Sequence, residues 1–381
     1  MEAYLDNSAT TRPTPGVVAA ISECMTEGFF NPSSLYMPAL NAERQMKACR
    51  AELAGELRVS ADAVCFTSGG TESNNLAITG TVSARRGTSH AVTFETEHPS
   101  VLETVKSLAA HGHSISVLPV DTRGIPDMDA LENALASKPA LVSVMQVNNE
   151  TGAVPDIPEI ARLIRGMSPE TLLHVDGVQG FMRLPFDART VDLYTASAHK
   201  IHGPKGVGML YIRPGVRINP LFMGGGQERG VRSGTENTPG IAGLFAAVHE
   251  LRALPALKDA LLKKKLKMHD LFLRAVPDMK VLGPDVCNGA PHILNVSLPP
   301  VRAEVMLHAL EGDGVYCSTG AACSSKKRKI SAVLAAMNTT PAIADCALRF
   351  SLSPYTADDE IEYAAECLAR RYAQLKQYNR R

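Results

Sequence analysis

Between about residue 60 and residue 215, seven short apolar runs alternate with helix-patterned stretches, and this alternation limits the possible folds more than any other feature. The runs are Val64–Thr67, Ala91–Phe94, Ile115–Val120, Leu141–Val147, Leu172–Val175, Leu193–Ala196 and Val207–Ile212. β-Rich runs of this length separated by helices predict an α/β fold with a mostly parallel sheet covered by helices on both faces. Ala42, Met46, Cys49, Leu53 and Leu57 recur at helical spacing and predict a helix over 41–57 that packs one face on this body. After about Leu251 the pattern changes to a basic amphipathic helix over 261–276, strands at 280–282, 293–297 and 347–351, a helix near 303–311 and a terminal helix from Asp358. This predicts a smaller α+β unit. A chain of 381 residues exceeds one compact core. The expected division is a large domain over 12–250 and a small domain made of 1–11 with 251–381, the Gly/Pro-marked stretch 223–240 lying between the two patterns.

Composition excludes several functions. Lys and Arg number 39 and so do Asp and Glu, so no global field recruits nucleic acid or an anionic membrane. The 8 cysteines form no CxxC or CxxH spacing, which leaves no zinc signature, and their scatter points to reduced thiols in the cytoplasm. No GxGxxG follows a strand and no P-loop sequence occurs. The N-terminus has no leader pattern, and no window reaches the ~18 apolar residues of a membrane span. A soluble cytoplasmic protein is expected.

Reactive side chains collect just after the predicted strands. Lys200 follows Leu193–Ala196 through Ser197-Ala198-His199, and Asp176 ends the preceding run. Alone, each reads as a surface lysine or a helix-capping acid. Together they suit pyridoxal 5'-phosphate, which needs an amine for its aldehyde and an acid for its ring nitrogen. Thr67 leads into Ser68-Gly69-Gly70-Thr71, either a capped glycine turn or a phosphate cradle at a helix N-terminus. His98 reads either as a helix cap or as a lid and acid–base group over a ring. Asn148-Asn149-Glu150 forms a polar turn after Val147, and Gln179 follows Asp176 closely. Ligands of open α/β sheets bind outside the carboxyl ends of strands, so these groups define one site.

The same motifs, with Leu5-Asp6-Asn7-Ser8-Ala9-Thr10-Thr11, Asn31-Pro32-Ser33-Ser34, Gly203-Pro204-Lys205-Gly206, Gly224 to Gly230, Arg232 to Thr235 and Leu348-Arg349-Phe350-Ser351, resemble the NifS/IscS-like cysteine desulfurases of the class V aminotransferase group. The resemblance covers nearly the whole chain. It implies PLP fold-type I, with a mostly parallel seven-stranded sheet between helices plus a smaller α+β domain. It implies that Lys200 is the Schiff-base lysine, that Asp176 pairs with the pyridine nitrogen, that His98 stacks on the ring and that Gln179 bonds its phenolic oxygen. Asn149 would lie beside the ring and help bind the substrate, Gly70, Thr71, Ser197 and His199 would hold the phosphate, and Arg349 would take the substrate carboxylate. Thr235 would reach the phosphate of a neighbouring subunit, which implies a homodimer with shared sites.

By the same resemblance Cys323, among the small residues of 317–325, is the thiol that takes sulfur from L-cysteine as a persulfide, leaving L-alanine. The sulfur would pass to an acceptor protein, an iron–sulfur scaffold or a tRNA-thiolation relay. Two features depart from the family pattern. Cys317 adds a second thiol, read either as a small strand-end residue or as a persulfide-resolving group, and Lys326–Lys329 is unusually basic. A selenocysteine lyase or an aminotransferase of small amino acids is the alternative on the same cofactor.

Overall fold

The computed structural model describes residues 1–319 and 330–378. A two-residue strand, β1 (Ala3–Tyr4), precedes the central sheet. That sheet consists of β2 (Val64–Thr67), β3 (His90–Phe94), β4 (Ser114–Leu118), β5 (Leu141–Met145), β6 (Leu172–Asp176), β7 (Leu193–Ser197) and β8 (Gly208–Ile212). Its seven strands lie in the order β2-β8-β7-β6-β5-β3-β4. The pairings from β4 across to β7 are parallel, while β8 runs antiparallel to both β2 and β7. Strands β5 and β7 are buried at every position, as a sheet covered on both faces requires.

All seven predicted runs become strands of this sheet. The run expected to reach Val120 stops at Leu118, and Val120 instead bridges Pro126 across a turn. The helix expected over 41–57 starts earlier, as Met37–Leu57, because Pro38 fits a first helical turn that needs no N–H. It ends at Arg58 in the left-handed conformation, φ 58°. The Gly/Pro-marked stretch is pinned to the sheet. Glu228 lies within it, accepts Arg50 Nη1 and Nη2 at 2.6 and 2.7 Å and takes the Phe66 N–H at 2.9 Å.

Towards the C-terminus, β9 (Lys280–Val281), β10 (Ile293–Ser297) and β12 (Ala347–Ser351) form an antiparallel sheet in the order β12-β10-β9. The short β11 (Val315–Tyr316) pairs in parallel with β1. A second hydrophobic core gathers Ala3 and Leu5 with Phe272, Met306, Leu348, Phe350 and Leu368. Helices 238–252 and 257–275 meet at a bend of 78°, the first packing in the sheet core and the second in this one. Among the described residues, no single helix is long and apolar enough to cross a membrane.

The first eleven residues join the two cores. Leu5 packs in the smaller core, Asp6 bridges Ser351, and the Thr11 N–H donates to the His199 carbonyl at 2.9 Å, next to Lys200.

Candidate active site

Met145 pairs with Asp176 and Asp176 with Thr195, so the carboxyl ends of β5, β6 and β7 lie level. The residues that follow fall into one cavity of about 400 Å³. It is lined by Gly70, Thr71, His98, Asn149, Asp176, Gln179, Ser197, His199, Lys200 and Arg349. Every described residue expected at the site is therefore there, with the exception of Thr235. A larger groove of about 560 Å³, between helices 15–26, 37–57 and 238–252, offers no lysine, arginine or histidine.

A single turn after β7, Ala198–Lys200, delivers Lys200 to the cavity. Its Nζ donates to the carbonyls of Ser8 at 2.6 Å and Ala9 at 2.8 Å. Loss of solvent, then the charges of Arg349 and Arg183, bring the amine down to about 7 against the pull of Asp6 and Asp176. A near-neutral amine is the form that condenses with an aldehyde or accepts a proton.

Asp176 receives two hydrogen bonds, from Asn74 Nδ2 at 2.8 Å and from the Val178 N–H at 3.0 Å. The other Asn74 N–H reaches Ser100 Oγ at 2.9 Å, which lies 2.8 Å from His98 Nδ1. Nδ1 also accepts the Ser100 N–H at 3.1 Å and caps the helix Pro99–Leu108. An amide N–H can only donate, so neutral His98 carries its proton on Nε2. The cavity walls strip water from this ring and lower its pKa; Asp176 opposes that shift and Lys200 adds to it. His98 is thus both a helix cap and a cavity residue.

At the far end, the helix Gly70–Ser83 begins after Gly69 with no side-chain cap. Its hydrogen-bond ladder starts with the Ser73 N–H donating to the Gly69 carbonyl, which leaves the first-turn N–H groups outside it. A Cβ on Gly70 would lie 2.7 Å from Val178 Cγ2, and one on Gly208 would lie 2.7 Å from the Cα of Gly69. Gly208 lets backbone approach backbone at this turn, and Gly70 leaves room for the Val178 side chain. With Thr71, Ser197 and His199 in the same wall, the turn suits a phosphate. Burial first, then Lys200, hold His199 down to about 4, so it enters as a neutral hydrogen-bonding ring.

Arg349 projects from β12. It donates Nη1 to the Asn149 carbonyl at 2.8 Å and Nη2 to Asp6 Oδ1 at 2.6 Å. Its Nε is buried without a hydrogen-bond partner among the described residues, a donor left for a bound anion. Gln179 donates to the Ser8 carbonyl at 2.9 Å, so its amide is engaged by protein here. Taken together, an amine, a carboxylate and an uncapped helix start with hydroxyls fit the aldehyde, ring nitrogen and phosphate of pyridoxal 5'-phosphate.

Cys323 lies outside the described residues. Ser318, shortly before it, lines the cavity, and Ser331, shortly after it, bonds the buried Glu150. Cys317 is pushed well above the usual thiol range by burial and then by Asp6, so it stays protonated at neutral pH, as a small strand-end residue would. Thr235 is exposed, in a shallow groove with Thr67, Gly206 and Arg232 outside the cavity. Motif reading missed Arg183 and gave no role to Asn74 and Ser100, which stand within quoted motifs but act through contacts between distant elements. It also gave no role to Ser8 and Ala9, although both lie within a motif it singled out.

The chain matches the aminotransferase class-V family over residues 3–364. It is 38% identical over 371 residues to a cysteine desulfurase of Nostoc sp., covering 96% of this chain and 91% of that one. The fold is similar to that of a NifS-like protein, with a TM-score of 0.91 at 35% identity, covering 98% of this chain and 100% of the other. It is also similar to SspA in complex with cysteine, with a TM-score of 0.81 at 29% identity over 93% of this chain and 100% of the other. Members of this family generally depend on pyridoxal 5'-phosphate. A site built around Lys200 and Asp176, on this sheet and with these relatives, makes the chain a member of the class-V aminotransferase family and, within it, of the NifS/IscS-like cysteine desulfurases.

Proposed function

We propose that this chain binds pyridoxal 5'-phosphate and converts L-cysteine to L-alanine, keeping the sulfur on Cys323 as a persulfide for an acceptor protein. The observation that carries the reading is one cavity holding a near-neutral Lys200 amine, the Asp176 carboxylate and Arg349. Lys200 would hold the aldehyde, Asp176 the ring nitrogen, and Gly70, Thr71, Ser197 and His199 the phosphate, with His98 and Gln179 against the ring. When bound, the cofactor supplies an electron sink that makes the α-proton and the β-sulfur of an amino acid labile.

The remaining tasks fall to the chain's own residues. Arg349, held by Asn149 and Asp6, orients the substrate carboxylate, and Lys200 Nζ accepts and returns the α-proton. The Cys323 thiolate forms an S–S bond to the substrate sulfur as the Cβ–S bond breaks. That electron pair stays with the carbon skeleton, which takes up a proton at Cβ and leaves as alanine.

The exposed Thr235 supports a homodimer in which it serves the neighbouring site, and exposed Phe222, Met223, Tyr36 and Met37 supply apolar surface for it. The smaller core supports a small domain drawn from 1–11 with 251–381 beside a large one over 12–250, although Leu282, Val333, Leu334, Met337, Ala344 and Ala347 pack in the sheet core. The cysteines at the seven described positions are unpaired, as expected in the cytoplasm. Supply to iron–sulfur cluster assembly or tRNA thiolation follows from the same chemistry.

Borohydride reduction followed by peptide mapping tests the reading, with label expected on Lys200. Incubation of the unreduced protein with L-cysteine should yield alanine and one extra sulfur atom on Cys323. A reduced protein with no cofactor on Lys200 would overturn it.

A further inference from the structure

Arg183 is buried, and no carboxylate lies within ion-pair distance of it among the described residues. Its Nη1 donates to the side-chain Oε1 of Gln179 at 3.0 Å and to the Gln179 carbonyl at 3.3 Å, and lies 3.4 Å from His292 Nε2. Its Nη2 donates to the backbone carbonyl of Lys200. Burying a guanidinium without a counter-ion is costly, and burial lowers its pKa to about 10. A contribution to the fold alone could come from an apolar side chain at lower cost.

We propose that Arg183 is a positioning residue of the desulfurase site, fixing the Gln179 amide and the Lys200 backbone and setting a positive field beneath the lysine. This rests on the cofactor reading of Lys200. A guanidinium can only donate, so Gln179 must turn Oε1 towards it and present Nε2–H on the opposite side, towards the Ser8 carbonyl at the cavity wall. The orientation of that amide is therefore fixed before any ligand arrives.

The field follows from the charges around Lys200. Asp6 faces it from the N-terminal segment, Asp176 from β6, Arg349 from β12, His98 from the capped helix and His199 from its own turn. Asp6 pairs with Arg349 at 2.6 Å but offsets only part of its larger effect on the amine, and both imidazoles have lowered pKa values. Arg183 is the next charge in size and outweighs Asp6 and Asp176 taken singly. Without it, the amine would hold its proton to higher pH.

The test uses the full-length protein stripped of cofactor, with acetic anhydride labelling of Lys200 measured by peptide mapping across pH. The wild-type midpoint is expected at about 7. In Arg183→Met it should rise to about 8, a ~5-fold slower labelling at pH 7. Arg183→Lys, which keeps the charge, should restore the wild-type midpoint. If Arg183→Met does not fold, Arg183→Gln decides the same question. An unchanged midpoint in a folded neutral variant overturns the proposal, as does failure of both neutral variants to fold while Arg183→Lys folds. A wild-type Lys200 that carries no cofactor under borohydride would instead overturn the function itself, so the two failures are told apart.

Discussion

Arg349 Nη2 lies 2.6 Å from Asp6 Oδ1, an ion pair between opposite ends of the sequence that borders the cavity. The pair holds the guanidinium in place, with the Asn149 carbonyl fixing a second nitrogen and Nε left over. A lysine in this position would lack the planar fork. Arg349→Lys should lower kcat/KM for L-cysteine about 10- to 100-fold, as expected for losing charge-assisted hydrogen bonds of about 1.5–3 kcal/mol. The loss should appear mainly in KM in a steady-state alanine assay, and an unchanged KM would remove Arg349 from carboxylate binding.

Cys323→Ala should leave the cofactor's visible absorbance intact, because the residues that fit the cofactor are others, which line the cavity. Alanine formation from L-cysteine should fall more than about 100-fold, because no cysteine among the described residues lines the cavity to take its place. Alanine produced at the wild-type rate would remove Cys323 from the reaction.

Burial raises Glu150 to about 7, only partly offset by Ser331 and Arg349. Its folded-state pKa exceeds the unfolded value, so its stabilising contribution is complete below about 4.5 and is lost as pH rises through about 7. At 1.36 kcal/mol per unit this amounts to about 3 kcal/mol. Glu150→Gln should therefore melt above wild type at pH 8, with the advantage shrinking towards pH 5. Melting curves at the two pH values check this, and an equal offset at both would contradict it.

Lys200 has the opposite linkage. Its folded-state pKa is depressed from 10.5 to about 7, so burying it costs stability fully at and below about 7 and nothing above about 10.5. Lys200→Met, which keeps the volume and removes the charge, should raise the melting temperature of the cofactor-free protein at pH 6.5. At pH 10.5 the gain should vanish. A variant less stable than wild type at pH 6.5 would show that the amine is not buried at a cost.

The strands were readable because their apolar runs are short and bounded by turn residues. Ile293–Ser297 and Ala347–Ser351 came out with the expected limits, as did the helix Ala303–Glu311. The antiparallel course of β8 was not readable, since strand direction depends on which neighbours it joins and not on its own residues. Lys200, Asp176 and His98 were legible because each stands at a strand end or just past it. Asn74 was not, since it sits inside a helix and gains its role only when that helix packs against β6, bringing its amide to Asp176. The Ser8 and Ala9 carbonyls are backbone atoms, and side-chain patterns cannot reveal which amine they hold.

The opening residues have a consequence for how the protein is made. Ala3 waits for Val315, and Asp6 waits for Ser351 and Arg349. Synthesis runs from the N-terminus, so these residues leave the ribosome long before β11 and β12 and find those partners late. Thr11 can meet His199 and Ser8 can meet Gln179 as soon as the sheet forms, but the Ser8 N–H finds the Ser351 hydroxyl only when β12 has been made. The wall beside Lys200 is therefore completed by a strand translated about 150 residues after the lysine itself.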